Sequence, residues 1–233
     1  MNVSEKWRRL LRIWPIYPAV LFLLLLFVYP TALLVGLSVA DVDGKISVDH
    51  YARLFEGELY TKVLLITLKV AAWTTAFAII AGYPVAYLLA NVKSSLRNTL
   101  IIWVLLPFWT SFLVRTFAWL VLLGRKGAIN DLLIALGIID YPIKIIYNFT
   151  GVMIGMVHAL MPLCVLTMLA VMENIDTNLS KAAGTLGARR GQAFWRIYFP
   201  LSLPGVAAGG LLIFVTSLGF FITPALLGSA RET

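Results

Sequence analysis

Residues 178–205, NLSKAAGTLGARRGQAFWRIYFPLSLPG, form a polar and basic interlude between two apolar runs long enough to be membrane spans. Leu179, Ala182, Ala183 and Leu186 recur at spacings of three and four, the period that lines residues along one stripe of a helix. Gly187 follows as a helix stop. A second short segment, 192–199, carries Phe194, Ile197 and Tyr198 together, and Pro200 and Pro204 punctuate the way into the next apolar run. A pair of short amphipathic helices on the basic side of a membrane protein offers an apolar ridge to a partner in the aqueous phase. The same pattern also suits helices lying on the lipid surface, with Arg189, Arg190 and Arg196 on headgroups.

The composition places this stretch in a membrane protein. Hydrophobic residues make up 61% of the 233 and charged residues 13%, and mean hydropathy is +0.90, whereas a soluble domain is roughly 25% charged. A formal charge of +8 could suggest nucleic acid, but in so apolar a chain basic residues serve to orient spans. One cysteine, Cys164, excludes an internal disulfide and a cysteine metal cluster. The two histidines, His50 and His158, stand too far apart in sequence and setting for a metal pair, so no metal site is expected.

Outward from the interlude, the chain divides into five spans, an all-α membrane architecture. Residues 1–15 are a basic head with Lys6, Arg8, Arg9 and Arg12, and 16–40 is the first span. A cleaved signal peptide competes here, with Ser38-Val39-Ala40 as a cleavage site, but its apolar core would be only about 7–15 residues. An acidic segment, 41–62, leads to the second span at 63–90, a basic turn at 91–98 and the third span at 99–123. Residues 124–147 are apolar in half-span patches and suit a helix near the interface. The fourth span is 148–172, the basic loop occupies 173–205, and the fifth span is 206–227, where Pro224 should bend or break it. Residues 228–233 complete the chain.

With the head inside, inner segments hold ten Lys and Arg against seven outside, which puts the N-terminus and the 178–205 loop in the cytoplasm. No Asp or Glu falls within a span, so the embedded carboxylate of an ion-coupled transporter is missing. His158 lacks a serine or carboxylate partner and no Gly-x-Ser-x-Gly turn occurs, which disfavours a hydrolase. No Gly-x4-Gly-Lys-[Ser/Thr] loop is present either; if ATP drives this protein, another chain binds it. A passive channel would need a charged ring or a filter loop, and neither is visible.

Several polar or aromatic residues sit in or beside spans. Arg115 is costly at membrane depth and either faces a wet cavity or snorkels outward. Lys69, a turn or two inside its span, can snorkel. His158 beside Met161 and Pro162 is either a packing residue or a substrate group. Trp109, with Trp103 and Trp119, can stack on a cation or mark the interface. Trp109, Arg115, Asp131 and His158 are the expected substrate-pathway residues.

Lys181-Ala182-Ala183, three residues, Gly187, nine residues, Ile197, one residue, Phe199-Pro200 resembles the cytoplasmic coupling loop of ABC importer permeases, which reads Glu-Ala-Ala, three residues, Gly, nine residues, Ile, one residue, Leu-Pro. Lys181 stands at the glutamate position and reverses the charge there; Phe199 stands at the leucine. Residues 107–119, 129–132, 154–157, 179–187, 200–205 and 223–228 are together similar to the permease subunits of spermidine/putrescine-type ABC importers. The resemblance implies a type I importer working by alternating access. It implies a second permease subunit, a cytoplasmic ATPase dimer that binds ATP and Mg, and a periplasmic solute-binding protein; this chain itself carries no cofactor. Leu179, Lys181, Ala182, Ala183, Leu186, Gly187, Ile197 and Pro200 would form the ATPase-coupling surface. Family members have six spans, and the sequence ends after five. From another class, a membrane-embedded scaffold or assembly subunit would use the same loop to bind lipid or a partner without moving solute.

Overall fold

A chain in lipid must satisfy its own backbone hydrogen bonds, and the described residues do so with helices. The computed structural model describes Trp14, residues 16–40, Ser47, Tyr51 and residues 57–229. The basic head at 1–13, the acidic Asp41, Asp43, Asp49 and Glu56, and residues 230–233 lie outside the described residues. The chain falls into two units, 1–62 and 63–233.

The first unit carries α1 (Ile16–Val39), apolar on every side and with none of its residues buried. Its turn at Leu24–Val28 is widened to a π-turn just before Pro30. A proline has no N–H to give to the carbonyl four residues back, and the wider turn accommodates that gap without a sharp kink.

The second unit is built from α2 (Glu58–Asn91) from Val63 onward, α3 (Ser94–Leu105), α4 (Phe112–Leu122), α5 (Ala128–Ala135), α6 (Phe149–Met172), α7 (Thr177–Thr185), α8 (Arg190–Leu218) and α9 (Ile222–Leu227). At its centre is α6. Val152, Met156, Leu160, Cys164, Val165 and Met168 are buried along it, and its first turn is capped by Asn148, whose Oδ1 accepts the Gly151 N–H at 3.0 Å. Helices in lipid gain little from hydrophobicity and associate by close packing, which small residues permit. Gly82 of α2 admits Met168 and Val165, and Gly205 of α8 admits Val171, whose Cβ would lie 2.9 Å from any Cβ placed there.

The apolar run at 99–123, expected as one span, is two helical halves. A 3₁₀ turn, Leu106–Trp109, extends α3; the backbone is extended at Thr110 and Ser111, and α4 leaves at 89°. Pro107 is the physical cause, because it withholds a donor in the last turn. The expected fifth span differs too. It begins earlier, as α8 is continuous from Arg190, with a second π-turn at Phe194–Tyr198 preceding Pro200. It ends earlier as well, at Gly219. Pro224 does not break it: the proline is the third residue of α9, in a first turn where its missing N–H costs nothing.

The segment 124–147 holds only the short α5, and Asn130 pins it. This fully buried side chain donates through Nδ2 to Gly124 O at 2.9 Å and Ile143 O at 3.1 Å, and accepts the Ile143 N–H at 2.9 Å. Asn130→Leu is expected to destabilise the fold by about 3 kcal/mol, since it orphans a buried donor and weakens two acceptors. Thermal unfolding of the purified protein in detergent checks this, and an unchanged Tm would refute it.

Candidate coupling helix and translocation cleft

The interlude of the sequence is α7 and the first turns of α8. Asp176 caps α7, its carboxylate accepting the Asn178 N–H at 2.9 Å. The other end closes at Gly187, which has φ of +86°. Ala188 N–H bonds to Ala183 O at 3.0 Å and Gly187 N–H to Gly184 O at 3.0 Å, the paired bonds of a Schellman stop.

The orientation of α7 is the unusual feature. Its small and polar residues, Thr177, Ser180 and Gly184, face the protein across a cavity of ≈ 240 Å³. Its apolar stripe faces out: Leu186 is 89% exposed, Leu179 45%, and Ala182 is exposed beside them. An ordinary surface helix buries its apolar face against its own core; this one holds it away. Lys181 is exposed, with Nζ 3.5 Å from Asn178 Oδ1.

The second segment does the opposite. Phe194 and Tyr198, expected on the outward ridge, turn inward onto α2. Tyr87 meets the Phe194 ring edge-on at 5.3 Å and the Tyr198 ring at 4.9 Å. The Tyr83 hydroxyl shares a 2.9 Å hydrogen bond with Ser202. Ile197 is half-buried, Pro200 exposed. Of this segment's large apolar residues Trp195 still faces out, 64% exposed, while Phe194 and Tyr198 join the start of α8 to α2. Nearby, Arg97 at the start of α3 pairs with Glu173 at the end of α6 at 3.1 Å.

Where α3 meets α4 and α8 meets α9, two backbone breaks flank one cleft of ≈ 600 Å³, walled by Phe108, Phe112, Leu160, Leu163, Phe220 and Phe221 and open to Arg115. Irregular backbone at membrane depth is tolerated where it lines a cavity. Arg115 reconciles its own charge with the break: its Nη2 donates to Pro107 O and, at 3.1 Å, to Thr110 O, and its Nε lies 3.3 Å from Thr110 Oγ1. These are charge-assisted bonds to carbonyls at the bend, where Pro107 O also accepts the Thr110 N–H at 3.3 Å and the Thr110 hydroxyl at 2.8 Å.

The other expected pathway residues are not gathered there. His158 lines a separate apolar cleft of ≈ 540 Å³ with Trp119, Phe149 and Met161. Trp119 Nε1–H donates to His158 Nδ1 at 3.1 Å, which leaves the ring proton on Nε2. Trp109 is 84% exposed on the bend, and Asp131 is exposed on α5; neither lines a cleft described here. Lys69 extends over the Phe149 ring, 5.1 Å from its centroid. The polar residues that hold the site together, Asn130, Ser202 and Gln192, were not singled out from sequence. Gln192 had a local signal, three residues after the start of the turn: its Oε1 accepts the Arg189 N–H at 2.9 Å.

Residues 77–231 match the family described as binding-protein-dependent transport system inner membrane component. Over 216 residues, 90% of this chain, the sequence is 37% identical to the spermidine/putrescine transport system permease protein PotB of Salmonella typhimurium strain SL1344, 75% of which is covered. PotB of Escherichia coli K12 is 36% identical over 90% of this chain and 78% of its own length. The molybdenum transport system permease protein ModB of Mycobacterium bovis is 32% identical over 72% of this chain and 62% of its own length. A crystal structure of a bacterial ABC transporter involved in the import of the acidic polysaccharide alginate has the same fold, with TM-score 0.76 at 20% identity over 98% of this chain and 82% of that one. The permease resemblance carried by the loop and its flanking motifs thus holds over nearly the whole sequence, and the chain belongs to the family of binding-protein-dependent transport system inner membrane components, as a multi-pass, all-α inner-membrane protein.

Proposed function

We propose that this chain is the permease subunit of an ATP-driven importer of polyamines of the spermidine and putrescine class. The supporting observation is the outward apolar stripe of α7, a ready contact for a cytoplasmic ATPase, in a chain whose first relatives are named as polyamine permeases across 90% of its length. Two ATPase subunits, a second permease and a periplasmic solute-binding protein complete the assembly. The N-terminus and α7 lie on the cytoplasmic side.

In this reading, closure of the ATPase dimer on ATP grips Leu179, Ala182, Ala183 and Leu186, with Lys181 and Gly187 setting the charge and exit of the handle. The aromatic contacts at Tyr87 and the Tyr83–Ser202 hydrogen bond carry its motion into α2 and α8, with Ile197 and Pro200 on the same rigid segment. Two discrete packings of these helices would alternately open the cleft to either side. ATP and Mg are held by the partner, and their chemistry enters only as its closure.

The phenylalanine faces of the cleft suit an ammonium chain, and no carboxylate lines it. Arg115 is spent on backbone carbonyls and adds positive charge to the wall. Binding there is therefore weak, as a path that must release its cargo requires, and selection falls to the solute-binding protein. Trp109 and Asp131 would meet solute at the periplasmic approach and His158 on the neighbouring wall of α6.

Reconstitution with the partner subunits tests this directly. Radiolabelled spermidine is expected to enter proteoliposomes only with internal ATP and added binding protein. Uptake of molybdate in place of spermidine would reject the substrate class, and failure of any ATPase to co-purify would leave a scaffold instead.

A further inference from the structure

Behind α7 lies a cavity that transport as described does not use. It is small, ≈ 240 Å³, below the about 300–1,000 Å³ of sites for drug-sized ligands. Its walls come from the coupling helix, the first turns of α8 and the end of α2. Gly184 opens onto it; a Cβ there would meet nothing within 4 Å.

Its lining has one electrical character. Thr177, Ser180, Tyr87 and Tyr198 contribute hydroxyls, Asn91 an amide and Arg190 a guanidinium, while no Asp or Glu lines it. The hydroxyls and the guanidinium can donate to an occupant, and the guanidinium is a permanent cation; the Asn91 amide is already given to Tyr87 O at 2.8 Å and, at 3.5 Å, to the Tyr198 hydroxyl. The carboxylates nearby in sequence are committed elsewhere: Asp176 to the Asn178 N–H at 2.9 Å and Glu173 to Arg97 at 3.1 Å. Arg190 is also the first residue of α8, 29 residues long, so the positive end of that helix adds to the field. A cation would find no counter-charge here; a small tetrahedral anion would find donors from three helices.

We propose that this cavity binds a phosphate group, either inorganic phosphate or the headgroup phosphate of an anionic cytoplasmic-leaflet lipid. The occupant bridges α7, α8 and α2, and so fixes the inner face of the helix whose outer face is exposed. The consequence for coupling rests on the function proposed above; the binding itself does not, and it is measured without transport.

The assay places a reporter thiol in the cavity by Gly184→Cys in a Cys164→Ala background, the chain being assembled with its partners in phosphatidylcholine nanodiscs. Inorganic phosphate is expected to slow maleimide labelling at least about fivefold and saturably, relative to sodium chloride of equal ionic strength, by shielding the thiol. Arg190→Gln should remove the protection, and Arg189→Gln, whose side chain is not in the lining, should keep it. Slowing only in phosphatidylglycerol nanodiscs assigns the source to lipid. No slowing by either, or equal loss in both arginine variants, overturns the site. Should Gly184→Cys assemble poorly, Ser180→Cys on the same wall gives the same readout.

Discussion

Replacing Gly187 with valine is expected to leave the chain inserted in the membrane while abolishing ATPase co-purification and solute uptake. The glycine holds φ at +86°, a left-handed conformation that costs an ordinary residue roughly 1–2 kcal/mol and a β-branched one more. The two hydrogen bonds that end α7 depend on that conformation. With valine, the last turn frays or the chain leaves in another direction, and Leu186 no longer stands where a partner can grip it. A loss of about 1.4 kcal/mol in docking already means tenfold, so uptake should fall by at least that factor. Asparagine tolerates the left-handed region, and Gly187→Asn should therefore retain much of the activity. Wild-type uptake by the valine variant would reject α7 as the handle.

The second large effect is expected at Gly155, where α9 crosses α6. A Cβ at this position would lie 2.5 Å from Leu227 Cδ1 and 2.7 Å from Thr223 Cγ2, and both of those residues are buried. Gly155→Leu must push α9 off α6, breaking the Tyr147 N–H to Leu227 O bond of 2.8 Å and displacing Ile222, which lines the Arg115 cleft. Overpacking of this kind costs about 3 kcal/mol. The variant should lose its monodisperse gel-filtration peak or a large part of its Tm. Leu227→Ala in the same chain should restore part of the loss, since the two side chains compete for one volume. Additive penalties in the double variant would show that they do not.

Both positions bear on how much could be foreseen. Gly187 was legible because a glycine at the end of a helical stripe has a backbone task that spacing alone reveals. The exposure of Leu179 and Leu186 was legible for a related reason: an apolar stripe on a basic interlude needs a partner. Periodicity does not say which partner, and Phe194 and Tyr198, with the same apolar signature, satisfy theirs within the chain against Tyr87. The break at Pro107 was hidden because length and hydropathy are the same for a straight span and a bent pair. Pro224 misled for the converse reason, since a proline in a first turn is harmless and Gly219 does the stopping. Asn130 and Ser202 fall in stretches that carry the family resemblance, yet their structural roles were not legible, because their partners are a backbone loop and a tyrosine far away in sequence.

The widened turn at Phe194–Tyr198 has a bearing on what single-residue deletions and insertions would do. Each residue advances a helix by about 100°, and this turn takes in one more than a regular turn would. Everything beyond it is thereby set in angular phase, so that Ser202, Gly205, Gly209, Ile213 and Ser217 point into the packed interior. Removing one residue between 194 and 198 lets the turn tighten to a regular one with that row in place, whereas adding one there would turn the whole row about a quarter of the way around the helix axis. Glycines would then look at lipid and leucines at α6, a far graver injury than altering any side chain in the turn itself.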